Sequence, residues 1–214
     1  MPQILSPNLR NYLRSSGNDD DHILREMETF AREHNIPILE KSSSIFLEQL
    51  LLIYQPKKFL EIGTAIGYST IRVAKTLKKT AKIYTIELSK HNIELAIKYF
   101  KRSGCRDRID IIEGDAIKIL KDSSETYDFI FLDADKEDYL DYLELCINRL
   151  NIGGVFFVDN LLWKGYVVSD SVPDEHKKST EFIKKFNAQF IKHPNLKSSI
   201  IPIGDGIGLG IKIR

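Results

Sequence analysis

Acidic and amide side chains follow two strand-like segments of the chain, YDFIFLDADK and GVFFVDN. Asp133, Asp159 and Asn160 end these segments, so three oxygen donors can converge from two neighbouring elements. Hard divalent cations such as Mg²⁺ or Mn²⁺ prefer carboxylate, carbonyl and water oxygens, and no histidine or cysteine accompanies the set to favour zinc. The set therefore predicts a magnesium-type site. On spacing alone, a turn at Asp159 and a helix cap at Asp133 are the structural alternative.

Lys136 lies three residues after Asp133, at the start of the next helix or in the loop before it. A lysine confined beside a metal ion can have its pKa lowered by burial and by positive charge, which suits it to take a proton. We therefore predict a catalytic role for Lys136. The structural alternative is an exposed lysine paired with Glu137 or Asp138.

A two-glycine turn follows an earlier apolar segment in FLEIGTAIGYS, residues 59–69. Gly63 and Gly67 are separated by three residues, so the G-x-G-x-x-G spacing of a dinucleotide-binding turn is missing. The turn predicts a nucleotide-like ligand or only a tight connection. The missing third glycine argues against an NAD-dependent dehydrogenase.

Carboxylates also end the next two strand-like segments. Glu87 ends KIYTIE, where a carboxylate can accept hydrogen bonds from the hydroxyls of a ribose. Asp115 and Ala116 follow RIDIIEG, where a carboxylate and a backbone amide can hold an adenine edge. An N-cap of the following helix is the alternative for Asp115 and is compatible with binding.

The elements that must position these residues alternate between apolar strands and amphipathic helices from residue 58 onward. Apolar strands joined by helical crossovers predict a doubly wound α/β fold with a mostly parallel sheet. The last eighteen residues, KSSIIPIGDGIGLGIKIR, predict an antiparallel hairpin at the sheet edge. The first fifty or so residues predict helices, with Asp19–Asp21 and Ser42–Ser44 as N-caps.

The composition is that of one globular domain spanning residues 1–214, with 43% hydrophobic and 29% charged residues and no apolar run that could span a bilayer. A net charge of +1 excludes a globally basic protein but not a local basic patch. Cys105 and Cys146 have no metal-type spacing and predict reduced thiols. The amino terminus lacks a secretory signal pattern, so we predict a cytoplasmic protein.

Five motifs in order, LEIGTAIGYS, IYTIE, GDA, DADK and DN, resemble the metal-dependent class I S-adenosylmethionine (SAM) O-methyltransferases, which include the catechol and caffeoyl-coenzyme A enzymes. The resemblance implies a Rossmann-like seven-stranded sheet, SAM and Mg²⁺ as cofactors, a homodimer, and helical residues 1–56 that cover the cofactor. It implies that Glu87 binds the ribose and that Asp115 and Ala116 hold the adenine. The other cofactor-contacting residues that it implies are Leu39, Glu61, Gly63, Ser69 and Asp133. The resemblance also implies that Asp133, Asp159 and Asn160 bind the metal ion and that Lys136 is the catalytic residue.

Within this family the chain is most similar to the bacterial branch that methylates 5-hydroxyuridine at the wobble position of tRNA. The shared segments are HNIPILEK, QPKKFLEIGTAIGYS, DNLLWKG and HPNLKSSIIPIGDGIGLGIK. The resemblance predicts a tRNA acceptor that gives 5-methoxyuridine, with a small catechol or phenol as the alternative. The candidate cations for contacting tRNA are Arg72, Lys75, Lys164, Lys177, Lys178, Lys184 and Lys185. Asp135 stands where catechol enzymes carry a bulky aromatic residue beside the adenine, so stacking there must come from elsewhere or be absent.

Overall fold

The computed structural model describes residues 6, 8, 9, 12 and 21–214. In this part of the chain the helices are α1 (His22–Glu33), α2 (Lys41–Tyr54), α3 (Tyr68–Thr76), α4 (Lys90–Arg102), α5 (Ala116–Asp122), α6 (Tyr139–Arg149) and α7 (Asp174–Lys192). The strands are β1 (Lys58–Ile62), β2 (Lys82–Glu87), β3 (Ile109–Glu113), β4 (Tyr127–Leu132), β5 (Leu150–Val158), β6 (Leu196–Ile201) and β7 (Ile207–Lys212). Three short 3₁₀ turns are Arg106–Arg108, Lys136–Asp138 and Trp163–Val168.

The strands form one seven-stranded sheet in the order β3-β2-β1-β4-β5-β7-β6. Strands β1 to β5 are parallel, whereas β7 runs antiparallel between β5 and β6. The strand order reverses between β1 and β4, and a ligand crevice is expected at the carboxyl ends of strands at such a point. The predicted doubly wound, mostly parallel sheet with a carboxyl-terminal hairpin is confirmed. Residues 202–206 join β6 to β7, and we call residues 204–206 of this connection the hairpin tip.

The central strands are apolar on both faces because helices cover both sides of the sheet. Along β4, Phe129 and Phe131 pack in the core on one face, while Ile130 and Leu132 pack in the core on the other. All four side chains are fully buried. This alternation explains why the strand reads as a continuous apolar run, as expected for a parallel strand buried on two sides.

Two of the predicted helix caps have different outcomes. Asp21 caps α1, since its carboxylate accepts from the Ile23 N–H at 2.9 Å, whereas Asp19 and Asp20 lie outside the described residues. The capping role predicted for Ser42–Ser44 is wrong, because α2 already begins at Lys41 without a side-chain cap. The Ser44 hydroxyl instead donates back to the Glu40 carbonyl at 3.1 Å, inside the first turn.

Both cysteines are buried, and burial raises the pKa of the Cys146 thiol. A buried thiol with a raised pKa is a poor nucleophile, which agrees with a structural role. None of the helices in the described ranges is long and apolar enough to cross a bilayer.

Candidate active site

A cavity of about 860 Å³ opens at the carboxyl ends of β1 to β5. It collects all but one of the residues predicted from the sequence to bind the cofactor or the metal or to act in catalysis. Those in its wall are Leu39, Gly63, Ser69, Glu87, Asp115, Ala116, Asp133, Lys136, Asp159 and Asn160. Residues separated by more than a hundred positions in the chain therefore share one site, as the parallel topology predicts.

The glycine turn between β1 and α3 has steric reasons for both glycines. Gly63 (φ 98°) and Gly67 (φ 84°) have positive φ, and the Gly67 N–H closes the turn by donating to the Thr64 carbonyl at 2.8 Å. A Cβ on Gly63 would collide with the Asp133 carbonyl, and one on Gly67 would collide with the Phe100 ring. The turn therefore lies directly against the end of β4, where the acidic residues begin.

Glu61 is the predicted site residue that the cavity wall does not include. Its side chain is fully buried beneath the turn, where it accepts hydrogen bonds from Ser69 at 2.5 Å, from Thr85 at 2.7 Å and from Thr70. Burial raises the pKa of Glu61 to about 7, although these hydroxyl groups act to lower it. Glu61 thus connects β1, β2 and the start of α3 through hydrogen bonds. It lies beneath the cavity wall, whereas the sequence predicts that it contacts the cofactor.

Glu87 and Asp115 lie in the cavity wall and also hold backbone. The Glu87 carboxylate accepts from the N–H groups of Ala65 and Ser89, both at 2.9 Å, and so attaches the glycine turn to the end of β2. Asp115 caps α5 by accepting from the Ile117 N–H at 2.9 Å, which confirms the capping alternative. Each carboxylate keeps lone pairs that a ligand in the cavity can use.

Residues 37–39 cover one side of the cavity between α1 and α2. The two helices are fixed to α3 immediately after the glycine turn. The Tyr68 hydroxyl donates to Glu28 of α1 at 2.6 Å, and Arg72 donates to Glu48 of α2 at 2.7 Å. Leu39 is buried and lines the cavity, whereas the covering of a cofactor by this region stays a prediction.

Lys136 is held between the ends of β4 and β5. Its Nζ donates to Asp133 Oδ1 at 2.9 Å and to the Tyr139 hydroxyl at 2.8 Å, and that hydroxyl donates to the Asp159 carbonyl at 3.2 Å. The exposed alternative is wrong, because only 12% of the Lys136 side chain is exposed.

The charges around Lys136 act on its pKa in opposite directions. Burial lowers the pKa of Lys136, but the Asp133 carboxylate and Tyr139 raise it more, so that the net pKa lies above its usual range. Burial therefore acts in the predicted direction, whereas the lowering attributed to the positive charge of a metal ion beside the amine stays a prediction. Burial also raises the pKa of Asp159, with the Asp133 charge acting in the same direction.

The donor set at the ends of β4 and β5 fits a hard cation. Asp159 Oδ1 is buried and has no hydrogen-bond partner among the described residues, although leaving such an oxygen unsatisfied is costly. Within those same residues no group of three or more histidine, cysteine, aspartate or glutamate side chains is arranged to hold a metal ion. The oxygen donors that this end of the cavity offers to a cation are the carboxylates of Asp133 and Asp159 and the amide oxygen of Asn160.

Several residues of the cavity wall were not identified from the sequence. They are Tyr142 of α6, Trp163, Ser179 of α7 and Asp205 of the hairpin tip, and Tyr139 joins the site beneath Lys136. The sequence contains one indication of the contact between Tyr139 and Lys136: Tyr139 lies three residues after Lys136, and such spacing places two side chains on one helical face. Tyr142, Trp163, Ser179 and Asp205 reach the cavity only through the packing of their elements, which no spacing in the sequence indicates.

The loop after the acidic residues has an unusual backbone. We call residues 160–165 the acceptor loop. Asn160 (φ 65°), Trp163 (φ 46°) and Lys164 (φ 55°) all lie in the left-handed region, which costs a residue with a side chain about 1–3 kcal/mol. Three such residues in one short segment are maintained only if the neighbouring structure holds them.

The family model described as O-methyltransferase matches residues 14–213 of the chain. Among curated proteins, the caffeoyl-CoA O-methyltransferase of Medicago sativa is 32% identical over 204 residues, covering 89% of this chain and 82% of that protein. The caffeoyl-CoA O-methyltransferase of Eucalyptus gunnii is 32% identical over 203 residues, covering 89% and 81%.

Solved structures agree with this relationship. The O-methyltransferase from Bacillus cereus, in complex with S-adenosylhomocysteine (SAH), has a TM-score of 0.83 and 25% identity, with 96% of this chain and 97% of that chain covered. The O-methyltransferase from Streptomyces achromogenes involved in tomaymycin synthesis, in complex with SAM, has a TM-score of 0.82 and 25% identity, with 97% and 96% covered. The chain therefore belongs to the O-methyltransferase family.

Proposed function

We propose that this protein transfers a methyl group from SAM to a hydroxyl of a small phenol that carries a neighbouring oxygen, as catechol does. The observation that carries the proposal is that one cavity brings Asp133, Lys136, Asp159 and Asn160 against the glycine turn. The relatives named for caffeoyl-CoA, itself a catechol-bearing molecule, support a phenolic acceptor.

For the cofactor, the carboxylates of the cavity wall would supply the polar contacts. Glu87 would accept from the ribose hydroxyls, and Asp115 with the Ala116 amide would hold the adenine edge. Gly63 and Ser69 would face the methionine end, with Leu39 above. Asp133 would contribute to both the cofactor and the metal site. Tyr142, which lies in the same wall near Asp115 and Asp135, would supply the aromatic contact with the adenine that Asp135 does not.

Asp133, Asp159 and Asn160 would hold a Mg²⁺ or Mn²⁺ ion. When bound, such an ion lowers the pKa of an acceptor hydroxyl and thereby favours the phenolate. The buried Asp159 Oδ1, which has no hydrogen-bond partner among the described residues, supports this assignment, because a bound cation would satisfy it.

Lys136 would act on the acceptor oxygen through Nζ. Asp133 and Tyr139 fix the direction of the amine, so that its charge and its protons are held in one place. A fixed amine stabilises a developing phenolate and is placed to exchange a proton with the hydroxyl. Since the methyl group of a sulfonium is already activated, the remaining task is to align the oxygen with the carbon–sulfur bond.

A tRNA acceptor has less support. The comparisons point to enzymes named for small molecules, and several of the candidate cations are already paired with acids. Lys177 pairs with Asp174 at 2.6 Å, and Lys178 pairs with Glu137. Pairing reduces the positive potential that a phosphate backbone would meet. The 5-hydroxyl and 4-carbonyl of 5-hydroxyuridine nevertheless offer the same two-oxygen geometry as catechol, so this acceptor belongs in the test.

The test is an acceptor panel with SAM, Mg²⁺ and the purified protein, with product masses measured for catechol, phenol and tRNA containing 5-hydroxyuridine. We expect methylated catechol, and much less product from phenol, which lacks the second oxygen. Asp128→Ala is a control that should keep the activity of the wild type, because Asp128 accepts from the N–H groups of Lys57 and Lys58 at the opposite end of the sheet. Methylation of the tRNA alone would contradict the phenolic assignment.

A further inference from the structure

Hydrogen bonds join the hairpin tip to successive residues of the acceptor loop. Gly206 O accepts from the Leu161 N–H and Asp205 O accepts from the Leu162 N–H, both at 2.9 Å. The Asp205 side chain extends the contact, since Oδ1 accepts from the Lys164 N–H at 2.5 Å. Backbone and side chain of the tip therefore hold consecutive parts of the loop.

The tip has no room to move toward either neighbour. Gly206 (φ 90°) lies so close to Leu162 that a Cβ would collide with it. On the other side, a Cβ on Gly204 (φ 58°) would collide with the Ser43 hydroxyl of α2, the helix that follows the covering segment 37–39. The tip is thus clamped between the acceptor loop and α2, which makes it a fixed support for the loop.

The part of the loop that Asp205 contacts is also the part with the strained backbone. Trp163 and Lys164 are consecutive left-handed residues that are not glycine, and Asn160 is a third. Left-handed backbone carrying a side chain persists only where surrounding contacts determine it. The Asp205 carboxylate accepts a hydrogen bond from the Lys164 N–H. Without this bond, the backbone at Lys164 would be free to leave the left-handed region.

We propose that Asp205 is a positioning residue for the methyl acceptor: its carboxylate fixes the backbone at Lys164 and thereby sets Trp163 and Asn160 in the cavity wall. The inference rests on the proposed function, because it assigns that wall to the phenol. Trp163, Lys164 and Asp205 all line the cavity close to the proposed metal ligands. An aromatic wall fixed beside the two-oxygen site would orient the ring of a phenol.

Two substitutions separate the hydrogen bond of Asp205 from its charge, which acts on Lys136 and Lys164. Asp205→Asn keeps a carbonyl oxygen that can accept the Lys164 N–H but removes the negative charge. Asp205→Ala removes both. If positioning is the role, asparagine retains most of the function and alanine does not.

Trp163 reports on the loop directly, because it is the only tryptophan of the chain. For Asp205→Ala we expect a red-shifted Trp163 emission, stronger quenching by acrylamide, and a KM for catechol raised about 10- to 100-fold. The dissociation constant for SAH should stay unchanged, since Glu87 and Asp115 lie on the other side of the cavity. Asp205→Asn should match the wild type in emission and quenching.

Asp128→Ala is the matched control, because Asp128 also accepts backbone N–H groups, from Lys57 at 2.9 Å and Lys58 at 3.0 Å. If Asp205→Ala resembles this control in both quenching and catechol KM, the positioning role is overturned. Equal losses in Asp205→Asn and Asp205→Ala also overturn it, because they would assign the effect to charge. Wild-type protein that is inactive toward catechol contradicts only the proposed function, and Trp163 quenching in the variants still decides the role of Asp205.

Discussion

Replacing Glu61 with glutamine should remove a specific pH dependence of stability. The buried carboxyl has a pKa of about 7 in the folded protein against an ordinary value of 4.5, so the folded state holds its proton over this window while the unfolded state releases it. Stability therefore falls as pH rises from about 4.5 to about 7, and each unit of pKa difference is worth about 1.4 kcal/mol. Between pH 5 and pH 8 the loss attributable to Glu61 is about 2.5 kcal/mol.

Glutamine preserves the local contacts that glutamate makes. Its carbonyl can accept from Thr70 and Thr85, and its amide can donate to the Ser69 hydroxyl, which is free to rotate. The assay is urea unfolding of the wild type and Glu61→Gln at pH 5 and pH 8. We expect the variant to lose about 2.5 kcal/mol less than the wild type over this interval.

A matched control is Glu125→Gln. Glu125 is exposed and paired with Lys58, which holds the pKa of the carboxyl below its usual range. Its effect on the pH dependence should therefore be much smaller and opposite in sign. Equal pH dependence of the wild type and Glu61→Gln would refute the reasoning, because it would mean that Glu61 is ionised in the folded state without cost.

The remaining predictions concern the turn and the catalytic centre. Lys136→Ala should lower kcat about 10²- to 10⁴-fold while calorimetry finds SAH affinity unchanged; an unchanged rate would remove its role. Gly67→Ala should cost about 3 kcal/mol in urea unfolding, because the new Cβ meets Phe100 in a backbone of positive φ, and wild-type stability would refute the steric account. Tyr139→Phe should cost about 1–2 kcal/mol and lower kcat, since it removes one of the two hydrogen bonds of Lys136 Nζ and the donor to the Asp159 carbonyl; a loss of stability with unchanged kcat would make Tyr139 purely structural.

The sheet and the positions of the carboxylates at its edge were predictable from the sequence. Strand-like runs such as YDFIFLDA end in the residues that reach the cavity, because parallel strands deliver their carboxyl ends to one edge. Asp133, Asp159 and Asn160 are therefore neighbours for a topological reason. The resemblance in five ordered motifs added the identity of the cofactor, which topology does not supply.

What the sequence did not predict depends on contacts between distant parts of the chain. The predicted hairpin includes Asp205 but gives it no partner, since its hydrogen bond to the Lys164 N–H spans 41 positions. The burial of Glu61 depends on hydroxyl groups from β2 and α3. The raised pKa of Lys136 depends on Tyr139 and Asp133 around a desolvated amine. Such effects come from packing, which residue type and spacing do not encode.

Some sequence-based expectations stay predictions. They are the homodimer, the cytoplasmic location, the single domain over residues 1–214, the covering role of residues 1–56, the metal ion and each residue's contact with the cofactor. Residues before Asp21 lie largely outside the described part of the chain, so the first part of the covering region is not described.

The central claim is that the acidic residues at the ends of β4 and β5 hold a metal ion that serves methyl transfer to a catechol oxygen. The most direct measurement is the rate of methylated catechol formation from SAM, with EDTA added and then with excess Mg²⁺, in the wild type and Asp159→Ala. We predict product in the wild type, its loss with EDTA, recovery with Mg²⁺, and none in the variant despite a folded protein. Full activity in EDTA, or activity of Asp159→Ala equal to the wild type, would contradict the claim.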